Sequence, residues 1–200
     1  MDMNPFRAGL ESMWNAVTLT WDEAWNEHLH AVQPDPGFSD FYDYCKAHNV
    51  PISILSSGLR PMIERIMDAF VGDRAREIEI ISNEGVIEER SWKIIWRDDT
   101  PFGHDKSHSL IASRTAHPTA THIFIGDGVS DISAAQHADL LFVRRGRDLE
   151  SWCARQGVPF TAFDTFGEIR EVVKGLVEGR SVIRRDKGTG FCEVMQVGVV

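Results

Sequence analysis

At 200 residues the chain suits one domain with room for a small insert. Hydrophobic residues make up 42%, enough for a folded core, and the formal net charge of −9 comes with no long Lys/Arg run. Such an acidic surface disfavours nucleic acid and anionic membranes as partners, so any phosphate site has to be made locally.

Cys45, Cys153 and Cys192 are far apart and form no C-x-x-C pair. That argues against a disulfide framework or a zinc site and for a reducing compartment. The opening Met1–Trp14 stretch has no apolar signal core, and no run approaches the ~20 apolar residues of a membrane span. The expectation is a soluble cytoplasmic protein.

In chain order, Phe6, Leu10, Met13, Trp14 and Val17 recur at helical spacing. Thr20 and Glu23 form a T-x-x-E capping box that opens a second helix, predicted through about Val32, with Trp21, Trp25 and Leu29 on one side. Pro34-Asp35-Pro36-Gly37 punctuates, and a third helix is predicted from Phe38 to Ala47. The three tryptophans are read as packing those helices rather than stacking on a ligand.

After His48 strands and helices alternate. Residues 51–55 form a short apolar strand ending at Ser56-Ser57-Gly58, followed by a helix from Arg60 to Phe70 with Pro61 in its first turn. Period-two alternation between Glu77 and Asp98, with a turn at Asn83-Glu84-Gly85, predicts a small antiparallel excursion. A helix starts near Asp105. Strands follow at 121–125, 140–143 and 159–161, with helices between them and a last one capped by Thr165 and Glu168. Repeated β-α alternation predicts a parallel sheet with helices on both faces. Residues after about Gly179 break the pattern, and Phe191 to Val200 is apolar and strand-prone.

Three features carry chemistry. Gly126-Asp127-Gly128-Val129-Ser130-Asp131 directly follows a strand and precedes a helix. Carboxylates at strand C-termini of an open α/β sheet lie at its ligand crevice. Two of them, four residues apart, offer the oxygen ligands that suit Mg²⁺; the competing reading is an acidic turn with a capping aspartate. Ser56-Ser57-Gly58 at another strand end offers hydroxyls and free amides to a phosphate, or is an ordinary turn. Lys106 stands near a helix start, where the dipole disfavours a cation unless an anion is reached; a solvated surface lysine is the competing reading. His104, His108, His117 and His122 show no ligand spacing on one element and are read as surface histidines.

Serine at a strand tip, then lysine, then Gly-Asp-x-x-x-Asp after a strand resembles motifs two, three and four of the haloacid dehalogenase superfamily. The resemblance is closest to its phosphoserine-phosphatase-like branch, which includes the methionine-salvage ketopentenyl-phosphate phosphatases and fungal relatives. It rests on residues 54–58, 103–107 and 125–135 and spans roughly residues 5–177.

The resemblance implies an α/β, Rossmann-like fold with an N-terminal helical cap at 1–34, a core at 35–178 with a β-flap at about 77–100, and a tail at 179–200. It implies Mg²⁺-dependent hydrolysis of a small phosphorylated metabolite. Ser56, with Ser57 and Gly58, would bind the phosphoryl oxygens; Lys106 would neutralise charge; Asp127 and Asp131 would hold the metal.

Family members begin with a strand ending in D-x-D-x-T, whose first aspartate attacks phosphorus. No D-x-D-x-T occurs in these 200 residues. Asp98-Asp99-Thr100 has the wrong spacing, and Asp186-Lys187-Gly188-Thr189 has a single aspartate. The resemblance puts that strand centrally, between 51–55 and 122–126. The expectation is therefore an inactive chain of low stability, or one whose gap is filled by the strand-prone stretch 191–200. The alternative function is a non-catalytic phosphate- or metabolite-binding relative. A more distant alternative is a receiver-type or nucleotide-binding α/β module.

Overall fold

In the computed structural model the chain is described at residues 5–185 and 192–197. It divides into two compact units, Met1–Pro34 with Ile52–Asp105, and Asp35–Pro51 with Lys106–Val200.

The first unit begins with α1 (Pro5–Asn15) and α2 (Trp21–Glu27). Glu23 N–H donates to Thr20 Oγ1 at 3.2 Å and Thr20 N–H to Glu23 Oε2 at 2.9 Å, so the capping box forms as expected. The helix predicted to Val32 stops earlier. His28 leaves helical geometry at φ −133°, and a 3₁₀ turn at Leu29–Ala31 replaces the last turn. Leu29 still packs on the tryptophan cluster. Trp14 stacks on Trp92 at 6.0 Å between ring centroids, and Trp21 lies 5.7 Å from the same ring. Trp92 Nε1–H donates to Leu19 O at 2.7 Å, pairing the one polar atom of a buried indole. Trp25 lies under the Arg65 guanidinium at 4.6 Å. All three helical tryptophans thus have protein neighbours.

β1 (Ser53–Leu59) runs into α4 (Arg60–Val71), which carries proline in its first turn as predicted. β2 (Glu79–Glu88) pairs in parallel with β1 from Ser53↔Glu79 to Ser56↔Ser82. It then turns to β3 (Ser91–Ile95), antiparallel from Glu84↔Ile95 to Glu88↔Ser91. Two expectations change here. β1 does not end at residue 55 but continues, with an irregular register between Ser56 and Leu59. The hairpin turn is at Glu89-Arg90, where Glu89 adopts φ 46°, rather than at Asn83-Glu84-Gly85. Asn83 is fully buried in the strand, and a Cβ on Gly85 would come within 3.1 Å of Leu59. That glycine serves close packing, not a turn.

The second unit holds α3 (Phe38–Ala47), α5 (Lys106–Ala116), α6 (Ile132–Ala135), α7 (Asp148–Gln156) and α8 (Phe166–Val177). Its parallel sheet has the order β4 (Ile123–Gly126), β5 (Leu140–Arg144), β6 (Thr161–Phe163). Leu140 to Val143 are all buried, as a central strand covered on both faces requires. β6 starts two residues later than predicted, since Pro159 has no N–H for the ladder. Phe38 and Phe41 of α3 meet Phe166 of α8 at 5.2 and 5.3 Å.

The stretch after Gly179 is not patternless. β7 (Ser181–Arg185) and β8 (Cys192–Gln196) form an antiparallel pair, Ser181↔Gln196 to Arg185↔Cys192. Within the strand-prone 191–200 region, the described Cys192–Gln196 stretch therefore pairs with β7 rather than filling a gap in the parallel sheet. Asp186–Thr189 lies outside the described residues. Among those residues β1 pairs with β2 alone and β4 with β5 alone, so no strand stands where the resemblance puts the D-x-D-x-T strand.

Candidate active site

The predicted residues fall into two clusters, one in each unit. In the first, Gly58 N–H donates to Ser56 Oγ at 3.1 Å, closing a tight bend inside β1. His104 Nδ1 lies 2.8 Å from Ser56 O. Asn83 Nδ2–H donates to Ser57 O at 2.9 Å, and Asn83 Oδ1 accepts from Arg97 N–H at 2.9 Å. Both carbonyls of the serine pair are thus held by side chains. Ser57 Oγ is buried with no hydrogen-bond partner among the described residues.

The residues leading to Lys106 are tied by Asp98. Its carboxylate accepts from Asp105 N–H at 2.8 Å, from Thr100 N–H at 3.0 Å and from the Thr100 hydroxyl. Burial works against its charge, yet these bonds, with the nearby His104, outweigh burial and hold the carboxyl below its ordinary range. Gly103, at φ 68°, lets the loop pass Trp96, where a Cβ would meet the indole at 2.0 Å.

In the second unit Lys106 is the first residue of α5, and its side chain is buried rather than solvated. Lys106 Nζ donates to Asp131 Oδ1 at 2.6 Å and to Ser130 Oγ at 3.0 Å. The anion that makes a lysine tolerable at a helix start is therefore this carboxylate. Asp131 Oδ2 accepts from Asp127 N–H at 2.9 Å and Gly128 N–H at 3.0 Å. One buried carboxylate thus anchors the lysine with one oxygen and the loop after β4 with the other. A Cβ on Gly126 would come within 2.9 Å of Asp131, so glycine is what lets the carboxylate lie against the strand end. Asp127 O accepts from Leu149 N–H at 3.1 Å, and the Asp127 side chain is exposed at the loop tip.

Lys106, Asp127 and Asp131 are brought together; Ser56, Ser57 and Gly58 form their own bend. Sequence reasoning missed Asn83, taken for a turn residue, and His104. His104 and His122 are buried, not surface histidines. His122 has its Nε2 3.0 Å from Ser113 Oγ and its N–H on Asp139 Oδ2 at 2.9 Å, which bolts the start of β4. His108 and His117 are exposed as expected. Among the described residues no group of three His, Cys, Asp or Glu side chains gathers as a metal cluster.

The model of the haloacid dehalogenase-like hydrolases matches residues 3–136. The chain belongs to that family. This sets aside the receiver-type reading. The chain is 36% identical over 192 residues to polyol phosphate phosphatase PYP1 of Saccharomyces cerevisiae, covering 91% of this chain and 80% of that one. It is 37% identical over 175 residues to Pdp3-interacting factor 1 of Schizosaccharomyces pombe, covering 86% and 76%. A 2-hydroxy-3-keto-5-methylthiopentenyl-1-phosphate phosphatase of Exiguobacterium sp. is 26% identical over 180 residues, covering 85% and 78%. Among solved structures, phosphoserine phosphatase from T. onnurineus superimposes with a TM-score of 0.60 over 86% of this chain and 74% of that one, at 14% identity. That likeness speaks to the fold alone.

Proposed function

We propose that the chain carries the phosphate- and metal-binding part of a Mg²⁺-dependent phosphomonoesterase acting on a small hydroxylated phosphate ester in the cytoplasm. We propose too that these 200 residues by themselves bind without turning over, because no D-x-D-x-T nucleophile is among them. The observation that supports the reading best is the buried Lys106–Asp131 pair, whose carboxylate also holds the amides of the loop that presents Asp127.

The donor set fits Mg²⁺, which takes one or two carboxylates and completes its shell with water and substrate oxygens. Asp127 would hold it directly. Both oxygens of Asp131 are engaged, so this residue would act on the metal through water while fixing the loop. The ion, when bound, would supply neutralisation of phosphoryl charge. Lys106 would place a second positive charge on the phosphoryl group, held in position by Asp131 and Ser130. Ser56, with Ser57, would donate to the phosphoryl oxygens, and the Gly58 amide, which donates to Ser56 Oγ, would steady that hydroxyl. Residues 1–34 would act as the cap, 77–100 as the flap, 35–178 as the core and 179–200 as a tail. Names such as polyol phosphate phosphatase among the relatives support a small phosphorylated substrate. A non-catalytic role in metabolite binding is favoured only if the attacking strand is absent from the mature protein.

The test is a pair of assays on one preparation. Titration calorimetry is expected to show inorganic phosphate binding that requires Mg²⁺, with p-nitrophenyl phosphate turnover at background. Fusion of an N-terminal strand ending in D-x-D-x-T is expected to confer turnover. Phosphate binding indifferent to Mg²⁺, or retained by Asp127→Asn together with Lys106→Met, would sink the reading.

A further inference from the structure

His104 is among the most buried side chains of the first unit, 1% exposed, although nothing in its sequence setting asks for burial. Its Nδ1 lies 2.8 Å from Ser56 O. A carbonyl only accepts, so Nδ1 carries the proton and donates. The bond spans 48 residues and joins the middle of β1 to the segment that becomes Lys106 two residues later. It falls at Ser56, the last residue in register before β1 departs from β2, so the ladder no longer dictates where the Ser57–Gly58 backbone goes.

Asn83 holds the neighbouring carbonyl, Ser57 O, from the opposite strand, and is itself fixed by Arg97 N–H. With Ser56 O bonded to His104, the Ser56 Oγ is left in reach of Gly58 N–H. Beside this clamp Ser57 Oγ is buried with no partner among the described residues, a polar atom whose burial is costly unless it is satisfied.

We propose that His104 is a positioning residue: its Nδ1–H fixes the Ser56 carbonyl and so sets the serine hydroxyls in the orientation that receives a phosphate oxyanion. The proposal rests on the phosphate reading of Ser56 above. A mere packing role would be served by any side chain of similar volume; a positioning role requires a donor at Nδ1.

The experiment compares His104→Asn, whose Nδ2 replaces the Nδ1 donor, with His104→Leu and His104→Gln, which lack a donor there. Two readouts are taken on each folded variant. One is hydrogen exchange at the Gly58 amide by NMR, which needs no ligand; the other is the Kd for inorganic phosphate with Mg²⁺. Leu and Gln are expected to speed Gly58 exchange and weaken phosphate about tenfold, the effect of losing one buried hydrogen bond. Asn is expected to stay near the unsubstituted protein in both. If Leu unfolds the chain, Gln against Asn gives the same comparison. Equal Gly58 exchange in Asn, Gln and the unsubstituted protein would overturn the proposal. So would tight phosphate binding in Gln. Should the unsubstituted protein bind no phosphate, the functional reading fails and the proposal with it, whereas a Gly58 response without phosphate binding would identify His104 as a purely structural clamp.

Discussion

Lys106 and Asp131 lie 25 residues apart in the chain yet meet at 2.6 Å, each side chain only 7% exposed. Breaking a buried pair from one side leaves an uncompensated charge and is far costlier than removing both. Asp131→Ala is expected to lower unfolding free energy by about 3–5 kcal/mol. Lys106→Met should cost less, because Asp131 keeps its two amide donors. The ordering is checked by urea unfolding; equal costs would mean that the amide bonds contribute nothing.

The two glycines flanking Asp127 give a sharper contrast. A Cβ at Gly126 would meet the Asp131 carboxylate at 2.9 Å, whereas one at Gly128 would meet nothing within 4 Å. Gly126→Ala is therefore expected to destabilise by about 1–3 kcal/mol through overpacking and to weaken Mg²⁺ binding. Gly128→Ala should stay within about 0.5 kcal/mol of the parent. Thermal unfolding and Mg²⁺ calorimetry read both. A tolerated Gly126→Ala would show that the carboxylate is free to retreat.

Much of the second unit was legible because its signals are local. The β4 loop, the buried β5 run and the Thr165–Glu168 capping box each lie within a few residues of chain, and spacing reads such features directly. The first unit was read less well because long-range contacts decide it. Asn83-Glu84-Gly85 has turn chemistry, but burial of the Asn83 amide against Ser57 and the fit of Gly85 on Leu59 override it. The pairing after Gly179 escaped for a similar reason: β7 is only five residues long, and although the region of β8 reads as strand-prone, nothing local names β7 as its partner. At the site, Lys106 and Asp131 were picked out singly, but their pairing was not written in the spacing. His104 carried no signal of burial at all.

Acid should loosen the chain at two marked places. Asp35 accepts from Arg144 at 2.7 Å, Gly37 N–H at 2.9 Å and Phe166 N–H at 3.2 Å. Burial opposes its charge, but these partners prevail and its carboxyl, like that of Asp98, sits below the ordinary range. A depressed carboxyl contributes stability that is fully present above its unfolded pKa, about 3.9, and lost as pH falls through the lower folded value. Unfolding free energy is therefore expected to hold above about pH 5 and to drop below about pH 4. Asp35→Asn and Asp98→Asn should each flatten that drop while lowering the plateau. An unchanged acid slope in both variants would contradict the assignment.

Thiol chemistry offers a test of the second unit's packing. Cys45 of α3 is fully buried, and burial pushes its thiol up to about 11; Cys153 of α7, equally enclosed, is raised as well. The thiolate is the reactive form, so neither side chain should be attacked at neutral pH while α3 and α7 stay packed. Brief iodoacetamide treatment of the native protein, followed by peptide mass mapping, is expected to leave both Cys45 and Cys153 unmodified, with full modification of each in denaturant. Because Cys45 shares its helix with Phe41, which lies 5.3 Å from Phe166, modification at Cys45 but not at Cys153 would indicate that α3 detaches from α8 ahead of the sheet. Modification of both at similar rates would mean that the whole unit opens together.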